Sequence, residues 1–160
     1  MSELFDVREL VQIGIEDETS GVVFYTAVSQ KCAAAEIRAI FSDLARQEAY
    51  HKQRFEQMLE SMGGYQAREQ YPGEYTAYLQ ALTQARAFPD RQAAAAKAAA
   101  IGSDAEAVDL ASQFERDTLV LMGEMKQLVR PQDVPIINEL MREEQAHLVK
   151  LAEARRALQG

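Results

Sequence analysis

Cysteine is almost missing from this chain of 160 residues: Cys32 stands alone, which excludes a disulfide framework and a four-cysteine iron or zinc site. Its expected place is that of a small buried apolar residue near a helix end. Eight glycines and four prolines leave long uninterrupted stretches, so a mostly helical protein is favoured over a sheet protein. Basic residues are the minority, 17 against 25 acidic ones, and the formal charge of −8 argues against nucleic acid or an anionic membrane as a partner. No apolar run is long enough to span a membrane, and Met1 to Asp6 carry neither a basic nor an apolar targeting segment. A soluble cytoplasmic protein is expected. With 48% hydrophobic residues the chain can bury one sizeable core but is too short for two ordinary domains, so residues 1–160 are expected to form a single domain.

From Glu3 to about Cys32, Leu4, Val7, Val11, Ile15, Val22 and Tyr25 recur at threes and fours, the mark of one helix face. Glu18 falls on that face, whereas Glu16 and Asp17 read as its solvated flank. A second helix is expected over about Ala35 to Met62, with Ile37, Phe41, Leu44, Phe55, Met58 and Leu59 as its stripe and Gly63 and Gly64 ending it. Glu48 and His51 interrupt this stripe. Between 63 and 102, Pro72, Gly73, Pro89 and Gly102 punctuate a long crossover holding one short helix near Glu74 to Arg86 and an alanine-rich piece from Arg91 to Ala100. A third long helix should start after Ser103, with Glu106 as a capping-box partner, and present Leu110 or Ala111, Glu115, Thr118, Met122 and Met125 inward as far as about Val129. Pro131 and Pro135 break the chain, Asp133 can cap, and a fourth helix follows through Ile137, Leu140, Met141, Leu148 and Leu151 to about Leu158. Short connections within each pair imply antiparallel neighbours. The crossover lets the second and third long helices run parallel.

Histidine is scarce as well, and both copies sit in one repeated pattern. Leu44, Arg46, Glu48 and His51 recur in register as Leu140, Arg142, Glu144 and His147. Glu18 precedes Glu48 by 30 residues and Glu115 precedes Glu144 by 29, so the chain is a duplication in outline. On a helix, a Glu and a His three apart project from one face and can reach adjacent metal ions. Two such helices facing each other, with one Glu from each remaining helix, give four carboxylates and two imidazoles. Burying four carboxylates without a cation would cost many kcal/mol, so the pattern makes physical sense around metal. Carboxylates can bridge two divalent ions, and imidazole favours iron or manganese over calcium or magnesium. Glu143, four before His147, is an alternative ligand, although the register with Glu48 selects Glu144. Arg46 and Arg142 read as ion-pair partners on flanking faces.

The chain resembles the ferritin-like di-iron carboxylate proteins, specifically the rubrerythrin-like branch. Glu18 followed by Gly21, Phe24 and Tyr25 is similar to the family's first-helix motif, and Glu48 with His51, Glu115, and Glu144 with His147 occupy the places of its other ligands. The resemblance implies an all-α, ferritin-like four-helix bundle with a long crossover between helices 2 and 3. It also implies two iron ions per bundle, bridged by Glu48 and Glu144, with Glu18 and Glu115 each chelating one and His51 and His147 each terminating one. Manganese and zinc are the other metals these ligands would take. Tyr25 resembles the family's tyrosine that hydrogen-bonds a ligand carboxylate. Three departures stand out: Thr118 lies where rubrerythrins proper carry a further Glu, Met122 is the counterpart of Tyr25, and no Cys-x-x-Cys pair follows the bundle.

The expected function is therefore that of a non-haem di-iron oxidoreductase that reduces peroxide or dioxygen, with electrons from an external donor protein. The alternative is ferritin-type iron oxidation and sequestration, and hydroxylation of an organic substrate stands behind both. A homodimer is the expected assembly, and the crossover would let half-bundles exchange between subunits.

Overall fold

The computed structural model describes residues 4–68 and 73–160, so Glu3, expected at the start of the first helix, and Pro72 lie outside the described residues, as does the side chain of Leu4. The first helix, α1, covers Val7–Lys31 rather than starting at Glu3, because Asp6 caps it by accepting the Arg8 backbone N–H at 3.0 Å. Ahead of it, Leu4–Phe5 (β1) pairs antiparallel with Ala67–Arg68 (β2). A link of three residues leads to α2, Ala35–Met62, and the Asp104 carboxylate holds that link by accepting from Ala33 and Ala34 N–H at 2.8 and 2.9 Å. Gly63 ends α2 at φ +57°, in the left-handed region that favours glycine.

The crossover contains α3, Glu74–Gln84, and α4, Arg91–Ala100. Next comes α5, Asp104–Leu128, with Ser103 Oγ accepting from Glu106 N–H; the Glu106 carboxylate reaches back to Gly102 N–H rather than to Ser103. A 3-10 turn, Pro131–Asp133, precedes α6, Val134–Gln159. Asp133 does not cap α6 as expected: its carboxylate is taken by the Arg130 guanidinium at 2.7 Å.

Four long helices form the bundle. Gly14 and Gly21 of α1 face Met125 and Phe114 of α5, and Asp43 and Arg54 of α2 pair with Lys150 and Glu139 of α6, so both contacts are antiparallel. Consequently α2 and α5 run parallel, as the long crossover requires. The apolar core falls into two parts. One is built around Phe24, Tyr25, Phe41, Phe88 and Phe114, the other around Leu10, Phe55, Met58, Leu121, Met125 and Ile137. Each fully buried aliphatic or aromatic side chain contributes about 1.5–3 kcal/mol, so the two parts can hold a polar layer between them in place.

The crossover packs along α1, and this overturns one expectation. Asp17 is 1% exposed rather than solvated: Arg86, between α3 and α4, pairs with it at 2.5 Å, and Thr118 of α5 donates to its other oxygen at 2.7 Å. Because α4 covers what would be the outer side of α1, burial extends round most of that helix. Leu10, Gly14, Gly21, Phe24 and Val28 are buried, whereas Ile15 and Val22 are only half-buried. Glu16 does lie on the flank, where Arg91 of α4 pairs with it at 2.7 Å.

Candidate metal centre

Each long helix delivers side chains to the layer between the two apolar clusters. Glu18 comes from α1, Glu48 and His51 from α2, Glu115 from α5, and Glu144 and His147 from α6, and none of the six is more than 1% exposed. They form two overlapping groups whose ligand atoms lie within 4.8 Å of one another. Glu18, Glu48, His51 and Glu144 make one group; Glu48, Glu115, Glu144 and His147 make the other. Glu48 and Glu144 belong to both. Glu144 spans the two most directly, with Oε1 2.6 Å from His51 Nδ1 and Oε2 2.9 Å from His147 Nδ1. The imidazole rings lie nearly parallel, 5.6 Å apart between centroids, each with Nδ1 towards the carboxylates.

Close approach is achieved partly by glycine. A Cβ on Gly21 would come within 2.9 Å of the Phe114 ring and 3.2 Å of Glu48 Cγ, so only a residue without one lets α1 sit this near to α2 and α5 beside the carboxylates.

The outer nitrogens of the histidines are held from the opposite helix. His51 Nε2 lies 2.6 Å from Glu143 Oε2, and His147 Nε2 lies 2.7 Å from Gln47 Oε1. The Gln47 amide nitrogen donates to Asp43 at 2.7 Å, which fixes its carbonyl towards His147. Both Nε2 atoms therefore act as donors, leaving the Nδ1 lone pairs to face the carboxylates in the neutral rings. Glu143, weighed as a direct ligand from its spacing, supports His51 from outside both groups. Tyr25 donates its hydroxyl to Glu115 Oε1, while its ring stacks on Phe41 at 5.7 Å. Met122 packs in the core, and Thr118 is engaged by Asp17. Arg46 pairs with Asp43 at the surface; Arg142 is exposed.

Electrostatically the cluster is unfavourable without a cation. Burial, together with the neighbouring Glu48 carboxylate, pushes Glu18 well above the ordinary carboxylate range. Burial and Glu144 do the same to Glu115. For His51, burial opposes protonation but the Glu144 and Glu48 carboxylates outweigh it and push the ring up to about 9. Burial likewise opposes protonation of His147, yet Glu115, Glu144 and Glu48 carry it up to about 12. Protons are thus drawn to where positive charge is wanted. Both oxygens of Glu18, Glu48 and Glu144, Glu115 Oε2 and both Nδ1 atoms are buried with no hydrogen-bond partner among the described residues, which native proteins avoid unless another species satisfies them. Hard carboxylate oxygens with imidazole nitrogen suit divalent iron, manganese or zinc, so the donor set fits a pair of such ions.

Asp17, Arg86, Gln47 and Asp43 escaped the sequence reading as members of this constellation. The repeat did carry a signal for one of them, since Gln47 and Glu143 each stand one residue before the Glu of a Glu-x-x-His motif.

Comparison with known proteins agrees with this architecture. The Rubrerythrin family model matches residues 9–155. A crystal structure assigned to the ferritin-like diiron-carboxylate proteins, from Thermotoga maritima, superposes with a TM-score of 0.68 at 21% identity, covering 98% of each chain, which establishes the likeness of fold. No curated protein matches.

Proposed function

The chain belongs to the rubrerythrin family, and we propose that it is a non-haem di-iron protein that reduces peroxide or dioxygen with electrons from an external donor protein. The observation that carries the reading is the pair of overlapping ligand groups sharing Glu48 and Glu144. Glu18 and His51 would hold one ion, Glu115 and His147 the other, and Glu48 and Glu144 would bridge them. Two iron ions would supply Lewis acidity and one electron each, matching the two electrons that a peroxide takes up on reduction to water.

The protein's own side chains then have definable tasks. Glu143 and Gln47 orient the imidazoles, and Tyr25 holds Glu115 through Oε1, which lies 3.4 Å from His147 Nδ1, and leaves Oε2 without a hydrogen bond among the described residues. Phe41 and Phe114 pack on Tyr25 and keep water away from that side. A centre whose ligands are at most 1% exposed favours an oxidant of the size of water over a bulky organic substrate. Cys32 is the lone thiol of the sequence, and the reductant in this reading is the external donor protein.

The test is rapid mixing of the anaerobically iron-loaded, reduced protein with peroxide or with oxygenated buffer while the ferric absorbance is followed. Oxidation that is complete within turnover time, faster with peroxide, and reversed by an added electron donor is the expected result. Iron that is oxidised once and released as mineral would contradict it and favour sequestration.

A further inference from the structure

Resting on the metal-centre reading above, we propose that Glu143 and Gln47 make the two metal positions unequal. A divalent cation would fill the Glu18/His51 position first and be held more weakly at the Glu115/His147 position. The two residues are equivalent in the internal repeat, each one place before a shared carboxylate, and each supports the histidine of the opposite helix. Their chemistry differs. His51 Nε2–H donates to a carboxylate, whereas His147 Nε2–H donates to an amide carbonyl whose direction Asp43 has fixed.

A carboxylate acceptor draws the N–H proton towards itself and raises electron density at the other ring nitrogen, the one that faces the metal position. An amide does so less. His51 Nδ1 is therefore the stronger donor. Glu143 keeps about a third of its side chain exposed, with a relative accessibility of 35%, so water supports its negative charge.

A separate observation points the same way. Tyr25 occupies one oxygen of Glu115 with a hydrogen bond and withdraws density from that carboxylate, while both oxygens of Glu18 have no hydrogen-bond partner among the described residues. Asp17, beside Glu18, does not reverse the balance, since Arg86 compensates its charge. Both asymmetries weaken the same position. Glu143, Gln47 and Tyr25 are thus positioning residues that set an order of filling.

Anaerobic titration of the metal-free protein with cobalt(II), followed by ligand-field absorption and by calorimetry, reads the two positions without any turnover. Two successive steps are expected, the first tighter by about tenfold or more. Glu143→Gln should weaken the first step by about tenfold, leave the second unchanged and still bind two ions. Gln47→Glu and, independently, Tyr25→Phe should each strengthen the second step alone. The inference is overturned if the wild-type protein takes up two ions in one unresolved step, or if Glu143→Gln leaves the first step unchanged or weakens the second instead. Fewer than two cobalt ions per wild-type chain would remove the di-metal reading itself, an outcome distinct from equal affinities.

Discussion

Glu144 reaches towards both imidazoles with separate oxygens, and Glu48 joins it in both ligand groups, whereas Glu18 and Glu115 each belong to one. Loss of a shared carboxylate should therefore differ in kind from loss of an unshared one. Glu18→Ala is expected to bind one metal ion per chain, while Glu144→Ala should weaken binding at both positions. Elemental analysis of the loaded, desalted variants separates the cases, and equal losses in the two would contradict the division. At the same scale, Asp17 is held by Arg86 and Thr118, although burial still pushes its carboxyl up to about 6. Arg86→Ala would leave that charge buried without its cation, at an expected cost of about 3–5 kcal/mol. Urea unfolding at neutral pH measures it. A loss within the error of the measurement would mean that Arg86 is dispensable to the packing of the crossover.

Among the elements, α1 most constrains the centre, because it is covered by α2, α5 and the crossover together. Gly21→Ala should push the Phe114 ring and Glu48 Cγ aside and lower stability by about 1–3 kcal/mol, more than the same change at the exposed Gly64, where a Cβ meets nothing. Thermal unfolding of the two variants gives the comparison. The ranges of α2 and α4, and the interior positions of Glu48, His51, Glu115, Glu144 and His147, were legible in the sequence because spacing of three and four survives wherever a helix has one buried face. The phase of α1 was less legible. Its contact surface is made by Gly14 and Gly21, which carry no hydrophobic signal, and by Asp17, which is polar but buried under Arg86. Periodicity reports which side of a helix avoids water, and it loses direction when a crossover 69 to 75 residues later covers the other side. Pairings between helices, such as Gln47 with His147, depend on register across the bundle and leave no local trace.

For the whole molecule, the metal-free cluster couples folding to pH. Glu18 and Glu115 are raised above the ordinary carboxylate range, so the folded metal-free protein binds more protons there than the unfolded chain, and stability falls as pH rises past about 4. His51 and His147, raised to about 9 and about 12, contribute stability that is full below their ordinary value of about 6.5 and is lost as pH rises through those values. The signs agree. Metal replaces these protons, so the gain in Tm on loading should widen from about pH 6 to about pH 8, and a gain that narrows would contradict the assignment of protons to this cluster. Assembly is a second property at this scale: gel filtration is expected to give a dimer, and a very large particle would favour the sequestering shell. If six side chains hold two ions through shared Glu48 and Glu144, the metal content per chain must follow those two residues. Anaerobically loaded wild-type protein should retain two iron ions per chain, and the folded Glu48→Ala, Glu144→Ala double variant should lose both. A double variant that still carries two would rule out Glu48 and Glu144 as the shared ligands.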